Sequence, residues 1–195
     1  MFDLIKLIEF GGYIGLFAIV FAESGLFFGF FLPGDSLLFT AGFLASQGYF
    51  SILPLILLLL VAAILGDAVG YTFGRKAGPK IFSRLESFFF KPSHVEKTSQ
   101  FFEKYGAKTI FLARFVPIVR TFAPIMAGVG GMKYATFARY NVIGGICWAA
   151  GMTLLGYFFG RVIPDADRYI LPIVGLIIVI SLIPPALEYW KEKKE

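Results

Sequence analysis

An apolar run without a single charged residue, ILPLILLLLVAAIL at residues 52–65, is the feature of the sequence that most limits its fold. Hydrophobic residues make up 57% of the 195 residues and charged residues only 16%, and the mean hydropathy is +0.77. A transmembrane helix needs about 20 consecutive apolar residues, and soluble domains rarely contain such runs. The sequence therefore predicts an all-α polytopic membrane protein.

Polar stretches separate five apolar segments, which together form a single membrane domain covering residues 1–195. In chain order the predicted elements are an interfacial amphipathic helix (1–10), a broken apolar segment (12–46), a spanning helix (51–74), a basic amphipathic loop (75–108), a second broken segment (109–131) and two further spanning helices (135–160 and 169–190). We expect the first helix and the basic loop to lie on the membrane surface, the loop against anionic headgroups.

The two broken segments are unsuited to crossing the bilayer as straight helices. Pro33 and Gly34 interrupt the first segment, and Pro117, Pro124 and Gly128 fall in the second. A proline removes a backbone donor, and the backbone groups that this leaves without partners are tolerated only inside protein or beside water. We therefore expect each segment to be a re-entrant hairpin, which enters and leaves the membrane on the same side.

The chain contains an internal repeat with an offset of 86 residues. GYTFGR at 70–75 recurs as GYFFGR at 156–161, and Ala-Gly at 41–42 recurs at 127–128. Each copy runs from a broken segment through Ala-Gly and a turn to a spanning helix. Because each copy crosses the membrane once, the second copy begins on the opposite side from the first. The expected fold is an inverted repeat in which two re-entrant hairpins face each other near the midplane.

The basic residues indicate the orientation in the membrane. Thirteen lysines and arginines fall on the side of the 75–108 loop and the C-terminus, and three fall on the other side. Because basic loops stay in the cytoplasm, we expect a cytoplasmic C-terminus. The basic residues flank apolar segments, so the formal net charge of +5 indicates attraction to anionic headgroups and not to nucleic acid.

Three acids and two arginines lie in apolar surroundings: Glu23, Asp35, Asp67, Arg114 and Arg120. An arginine cannot shed its proton, and at the centre of an isolated membrane helix it costs about 2.5–3.5 kcal/mol. The inverted repeat is expected to bring Glu23 and Asp35 on the first hairpin against the two arginines on the second. Charges that pair in this way avoid facing lipid.

A structural interpretation of these charges stays open, because buried ion pairs can simply hold a fold together. Against this interpretation, apolar residues can often replace buried ion pairs without loss of stability. A need for stability alone therefore does not explain four buried charges. Asp67 lies in a stripe of glycines, Gly66, Gly70 and Gly74, which by itself indicates close helix packing. The acid is either a third proton site or a cap of the hairpin. Asn141 and Trp148 share a predicted helical face and are expected to support the site, with core packing as the alternative.

Other kinds of site have little support in the sequence. The single cysteine, Cys147, excludes a disulfide framework and a cysteine-based metal site, and the single histidine, His94, lies in the charged loop. We therefore expect no metal, no cofactor and no catalytic residue, in a protein that is not an enzyme.

These residues and their spacing resemble the DedA family, also called SNARE-associated or VTT-domain membrane proteins. The first set of matching residues is Glu23, Pro33-Gly34-Asp35 and Ala41-Gly42. The second is Phe111-x2-Arg114-x2-Pro117-x2-Arg120-x3-Pro124-x2-Ala127-Gly128, continued by Met132, Phe137, Asn141, Gly145 and Trp148. The resemblance covers about residues 12–161, although many members have Glu where Asp35 stands.

The resemblance implies a lipid transporter with two facing re-entrant hairpins in a bacterial inner membrane. Bacterial members are implicated in returning undecaprenyl phosphate, the cell-wall carrier lipid, to the cytoplasmic leaflet. Others move phosphatidylethanolamine, and eukaryotic relatives scramble phospholipids. The acids and arginines match positions regarded as essential in the family.

We therefore expect Arg114 and Arg120 to bind the phosphate of a polyprenyl phosphate, and Glu23, Asp35 and Asp67 to carry coupled protons. Three other interpretations stay open: a phospholipid flippase or scramblase using the same site, a proton-coupled ion or drug exchanger, and an intramembrane lipid phosphatase. The nucleophile of such a phosphatase would be Ser24, Ser36 or Thr121. The small-residue faces also permit a homodimer.

Overall fold

The computed structural model describes residues 4–26, 34–84 and 104–162 of the chain. Over these ranges every regular element is a helix and there is no strand. In chain order the helices are α1 (Leu4–Gly25), α2 (Gly34–Ser46), α3 (Ile52–Arg84), α4 (Lys108–Ala113), α5 (Pro117–Val129) and α6 (Tyr134–Gly145), followed by a π-helix (Ile146–Ala150) and α7 (Gly151–Val162). The predicted all-α class is thereby confirmed for the described residues.

Within the part of the chain that the structure describes, two stretches of helix are long and apolar enough to cross a bilayer. They are Ile52–Ala77 within α3, and Tyr134–Val162, which joins α6, the π-helix and α7. The first stretch has 26 residues and extends about 39 Å at 1.5 Å per residue, more than the roughly 30 Å of a hydrocarbon core. The predicted spans at 51–74 and 135–160 fall on these stretches, and the one at 169–190 lies outside the described residues.

The helices extend beyond two of the predicted boundaries. α1 is continuous from Leu4, so residues 4–10 of the predicted interfacial helix form its first turns, and residues 1–3 lie outside the described residues. α3 continues to Arg84, beyond the predicted start of the 75–108 loop. Residues 85–103 of that loop lie outside the described part of the chain.

Each broken segment contains two helices. In the first, α2 begins at Gly34, immediately after Pro33, which lies outside the described residues. In the second, α4 and α5 are separated by a turn over residues 114–116. Pro117 occupies the first position of α5, where its missing N–H costs no hydrogen bond, and Pro124 lies inside the helix. The interruption of the second segment thus falls at the turn that carries Arg114.

The described helices belong to two compact units. The first unit contains the start of α1, α2, the start of α3, and α7. The second contains the end of α1, the rest of α3, and α4, α5 and α6. Each unit has its own close helix contact.

In the first unit, α2 packs against α7 with their backbones in contact. A Cβ atom placed on Gly42 of α2 would overlap the carbonyl oxygen of Thr153 in α7, and one placed on Gly156 of α7 would overlap that of Phe39. Leu38 and Phe43 of α2 are completely buried. Glycine at these two positions lets the helices approach closely, as small-residue faces do in membrane proteins.

In the second unit, α3 packs against α5 in the same way. A Cβ atom on Gly74 of α3 would overlap the carbonyl oxygen of Ile125 in α5, and one on Gly128 of α5 would overlap that of Tyr71. Tyr71 also stacks on Phe137 of α6, with 4.6 Å between the ring centroids. This contact holds α6 against the same part of α3.

The two close contacts use equivalent positions of the 86-residue repeat. Gly42 is equivalent to Gly128, and Phe39 is equivalent to Ile125, whose carbonyl oxygen likewise faces a glycine of the partner helix. The helix packed against α2 comes from the second copy, and the helix packed against α5 comes from the first. The second half of each broken segment therefore packs on the spanning helix of the other copy.

We predict that Gly42→Ala lowers the melting temperature of the purified protein, because the added Cβ overlaps the Thr153 carbonyl oxygen. Overpacking costs about 1–3 kcal/mol, which is at least the roughly 1 kcal/mol that alanine gains over glycine in a helix. Gly151→Ala in α7 is the matched control, since its Cβ would meet nothing within 4 Å, and it should not lower the melting temperature. Equal thermal-shift curves for the two variants in detergent would contradict the close contact.

Candidate functional site

Among the described residues of the second unit, four charged side chains are buried, and we call them the charged quartet: Glu23, Asp67, Arg114 and Arg120. They come from the end of α1, the middle of α3, the turn after α4 and the first turn of α5. Their exposed fractions are 0%, 3%, 4% and 7%, respectively. Charged side chains are almost never buried to this degree unless they are paired.

The first ion pair joins Arg114 to Asp67. Arg114 Nη2 donates to Asp67 Oδ2 at 2.5 Å, and it also donates to Asn141 Oδ1 in α6. Asn141 is itself held, because its Nδ2 donates to the backbone carbonyl of Ile64 in α3 at 3.1 Å. Arg114 is therefore fixed between α3 and α6 by two acceptors, one of which is tied to the α3 backbone.

Two glycines of α6 leave room for the Arg114 side chain. A Cβ atom on Gly144 would lie 3.0 Å from Arg114 Cδ, and one on Gly145 would lie 3.2 Å from a side-chain carbon of Ile64. Both distances are tighter than almost all real Cβ contacts. The pair of glycines thus lets α6 approach α3 while the arginine lies between them.

The second ion pair joins Arg120 to Glu23, with Arg120 Nη2 donating to Glu23 Oε1. Glu23 lies next to a close contact between α1 and α3: a Cβ atom on Gly25 would lie 2.7 Å from the carbonyl oxygen of Gly66. Asp67 follows Gly66 directly in the sequence. The two acids of the quartet therefore enter the site from two tightly packed helices.

Trp148 contacts both arginines through the face of its ring. The guanidinium carbon of Arg120 lies 4.8 Å from the ring centroid, and that of Arg114 lies 5.8 Å from it. Trp148 is buried, and cation–π contacts are stronger when they are shielded from water. It belongs to the π-helix Ile146–Ala150, and π-helical turns are rare elements that often occur at functional sites.

The quartet has no formal net charge when all four groups are ionised, since it contains two acids and two arginines. The arginines stay charged, so protonation of either acid gives the quartet a net positive charge. A buried charge without a partner is strongly unfavourable. An anion that replaces a carboxylate would therefore restore neutrality, and this is the chemistry that the arrangement can perform.

The structure gives each arginine an acid partner, and one of these acids is a residue whose role the sequence left open. The sequence predicted Glu23 and Asp35 opposite the arginines and left the role of Asp67 open. The structure pairs Glu23 with Arg120 and Asp67 with Arg114. Asp35 belongs to the first unit, where it lies half-buried in the first turn of α2. The sequence signal for Asp67 was its place in the glycine stripe, which marks the packed side of α3.

The other predicted site residues are distributed as follows. Asn141 and Trp148 both contact the quartet. Pro124 and Gly128 lie on the side of α5 that packs against α3, and Gly34 is buried at the start of α2. The two supporting residues thus touch the arginines directly, which their shared helical face alone did not indicate.

The first copy of the repeated motif, GYTFGR, holds the second unit together. The Tyr71 hydroxyl donates to the backbone carbonyl of Met132, and it accepts a hydrogen bond from Arg75 Nη1 at 2.9 Å. These bonds tie α3 to the chain just before α6. The tyrosine and arginine of this copy therefore have a structural role that the sequence repeat did not specify.

The described ranges, 4–26, 34–84 and 104–162, contain no candidate metal site. No group of three or more His, Cys, Asp or Glu side chains lies close enough there to hold a metal ion. The chemistry of the quartet itself consists of charge and hydrogen bonding.

Comparison with known proteins places the chain among membrane proteins. Residues 32–158 match the VTT domain. The chain is 52% identical over 184 residues to Protein DedA of Escherichia coli (strain K12), which covers 93% of this chain and 84% of that protein. It is 44% identical over 172 residues to an uncharacterised membrane protein of Mycobacterium leprae, with 88% and 77% covered. It is 46% identical over 172 residues to one of Mycobacterium tuberculosis, with 87% and 75% covered.

No solved structure gives a significant match to the chain. The VTT-domain match covers more than half of the sequence, and it includes Asp67, Arg114, Arg120, Asn141 and Trp148. Together with the identity to Protein DedA, this match shows that the chain belongs to the DedA family of VTT-domain membrane proteins.

Proposed function

We propose that the protein is a lipid transporter that moves undecaprenyl phosphate from the outer to the cytoplasmic leaflet of the bacterial inner membrane, coupled to protons. The observation that carries the proposal is the charged quartet, in which two buried guanidinium groups are each hydrogen-bonded to a carboxylate. A phosphate offers arginine the same kind of oxygen acceptor as a carboxylate. A membrane protein of apolar helices would meet such a phosphate as the headgroup of a lipid.

The two arginines are proposed to act differently. Arg114 is held by Asp67 and by Asn141, which is tied to the α3 backbone, so we expect it to stay in place. The Arg120–Glu23 pair joins α5 to α1, which belong to different broken segments. We expect this second pair to open when the lipid enters, with the phosphate replacing the Glu23 carboxylate.

Trp148 would keep Arg120 in position during this exchange. The ring face attracts a guanidinium group whether the facing acid is ionised or protonated, because the attraction depends on the ring quadrupole. Its contact with Arg120 is also the shorter of its two arginine contacts. Arg120 would therefore stay in position to bind the incoming phosphate after its ion pair with Glu23 has opened.

Protonation of the acids would supply the coupling. With Glu23 protonated the quartet carries one net positive charge, and a singly charged phosphate restores neutrality. Protons arriving from the outer side would therefore favour lipid entry. Proton release to the cytoplasm would re-form the Arg120–Glu23 pair and expel the phosphate. We assign Asp67 and Asp35 as further proton carriers, with Asp67 acting opposite Arg114.

We place the two broken segments, 12–46 and 109–131, as facing re-entrant hairpins, with the prenyl tail in the bilayer beside them. The division of each segment into two helices supports this arrangement. The basic 75–108 loop supports a multi-pass topology with a cytoplasmic C-terminus.

A phospholipid flippase or scramblase is the second candidate function. The two buried arginines favour it as well, because every phospholipid also carries a phosphate. A zwitterionic lipid would bring its own positive charge into the quartet, whereas a polyprenyl phosphate brings only negative charge. Direct competition between the two lipids therefore separates the candidates.

We predict that Arg120→Ala lowers the affinity for undecaprenyl phosphate at least roughly tenfold, since hydrogen bonds to charged groups are worth about 1.5–3 kcal/mol. Arg120→Lys keeps the charge but loses the planar fork and should bind with intermediate affinity. The measurement is native mass spectrometry of the purified protein with undecaprenyl phosphate and phosphatidylethanolamine together. Arg139→Ala, at an exposed position of α6, is the control and should bind as the wild type does. Weak, equal binding of both lipids by all four proteins would refute the phosphate clamp.

We also predict that Glu23→Gln removes most of the pH dependence of binding. The wild type should bind the lipid more tightly at acidic than at neutral pH, because protonated Glu23 releases Arg120. The glutamine variant is permanently neutral and should bind tightly at both. The lipid phosphate also titrates, with a pKa of about 6 like that of a phosphorylated side chain. Because this titration affects binding to both proteins, the wild type and Glu23→Gln are compared at the same pH. A wild-type pH profile in Glu23→Gln would exclude Glu23 as the coupling group.

A further inference from the structure

Thr121 follows Arg120 directly in α5. Its hydroxyl is buried and has no hydrogen-bond partner among the described residues. The residue is 1% exposed. Buried polar groups in native proteins nearly always have a partner, so one without a partner calls for an explanation. A ligand that binds beside it is one such explanation.

Helix geometry places Thr121 on the side of α5 that faces α3. Thr121 precedes Pro124, Ile125 and Gly128 by three, four and seven positions, which puts all four residues on one face of α5. The other three lie against α3, at Gly70, Gly74 and Tyr71, as the close glycine contacts show. The chain just before α5 also meets α3, through the Arg114–Asp67 pair. Thr121 therefore faces α3 at the end of the contact nearest that pair.

The internal repeat relates Thr121 to an acid of the first copy. Thr121 stands 86 residues after Asp35, and Thr153 stands 86 residues after Asp67. Thr153 is also completely buried, and its Oγ1 too has no partner among the described residues. Two positions that carry acids in the first copy thus carry uncharged hydroxyls in the second. The residue that follows Arg120 therefore adds no second negative charge to that of the Glu23 carboxylate, which already pairs with the arginine.

We propose that Thr121 is a binding residue of the lipid site, whose hydroxyl donates a hydrogen bond to a phosphate oxygen held by Arg120. The inference rests on the proposed function, because it requires a phosphate-bearing ligand at the quartet. Threonine can donate one hydrogen bond, and a phosphate oxygen is a strong acceptor. The ligand class is a lipid phosphate monoester or diester, and the same chemistry would also recognise free inorganic phosphate.

The test is Thr121→Val, which replaces the hydroxyl with a methyl group of similar size. Because the hydroxyl has no partner in the described fold, its removal should leave the melting temperature unchanged or raise it. The affinity for undecaprenyl phosphate, measured by native mass spectrometry, should fall about tenfold, since the lost bond is to a charged group. Thr121→Ser keeps the hydroxyl and should keep most of the affinity. Thr153→Val removes an equally buried hydroxyl in the first unit and should bind as the wild type does.

Several outcomes would overturn the inference. Wild-type affinity in Thr121→Val would show that the hydroxyl does not contact the ligand, while the Arg120→Ala result would still stand for the proposed function. A clear drop in the melting temperature of Thr121→Val would show that the hydroxyl is bonded within the fold. Absence of lipid binding by the wild type would overturn both this inference and the proposed function.

A thermal-shift titration with inorganic phosphate distinguishes the two sources of the phosphate. Stabilisation of the wild type by phosphate, lost in Thr121→Val, would support the hydroxyl as a phosphate donor and identify phosphate alone as sufficient. Stabilisation by undecaprenyl phosphate only, again lost in Thr121→Val, would support the inference with the whole lipid as ligand. Equal stabilisation of the wild type and Thr121→Val by either probe would overturn it.

Discussion

Two arginines that cannot lose their charge are buried among apolar helices, and the second unit is arranged around their compensation. Arg114 takes its acceptors from α3 and α6, and Arg120 takes an acceptor from α1. The acceptors must reach the guanidinium groups from separate helices, so the ion pairs tie those helices to the second broken segment. Removal of one partner would leave a buried charge, which is far more costly than loss of the whole pair. The charged quartet is therefore a determinant of the fold as well as a candidate site.

The glycines make this arrangement geometrically feasible. Gly66 and Gly74 allow α1 and α5, respectively, to contact α3 without an intervening side chain, which brings together helices that carry the quartet. The same device recurs in the first unit, at Gly42 and Gly156. The 86-residue repeat seen in the sequence is thus a repeat of backbone contacts. Charged pairs accompany the contact in the second unit, where the arginines lie.

A site that is neutral only while its acids are ionised is well suited to exchange. In the proposed function each carboxylate competes with an incoming anion for the same guanidinium group, and protonation of the carboxylate favours the anion. In the proposed function Asn141 holds one arginine in place and Trp148 holds the other while its partner changes. These separate roles of Asn141 and Trp148 would explain why a transporter retains a buried ion-pair cluster that apolar packing could replace. The stability of the folded protein and the affinity for its ligand then depend on the same four side chains.

How much of this follows from the sequence can be judged from particular residues. The apolar run at 52–65 predicted a spanning helix, because no polar side chain interrupts it. Arg114 and Arg120 predicted a buried positive charge, and their spacing was part of the resemblance to the family. The partner of Arg114 was decided only by the tertiary structure. The sequence predicted Glu23 and Asp35 opposite the two arginines and left the role of Asp67 open. The choice of Asp67 depended on which face of α3 the glycines turn toward the second broken segment, and helix rotation is set by packing between helices and not by the order of residues along one.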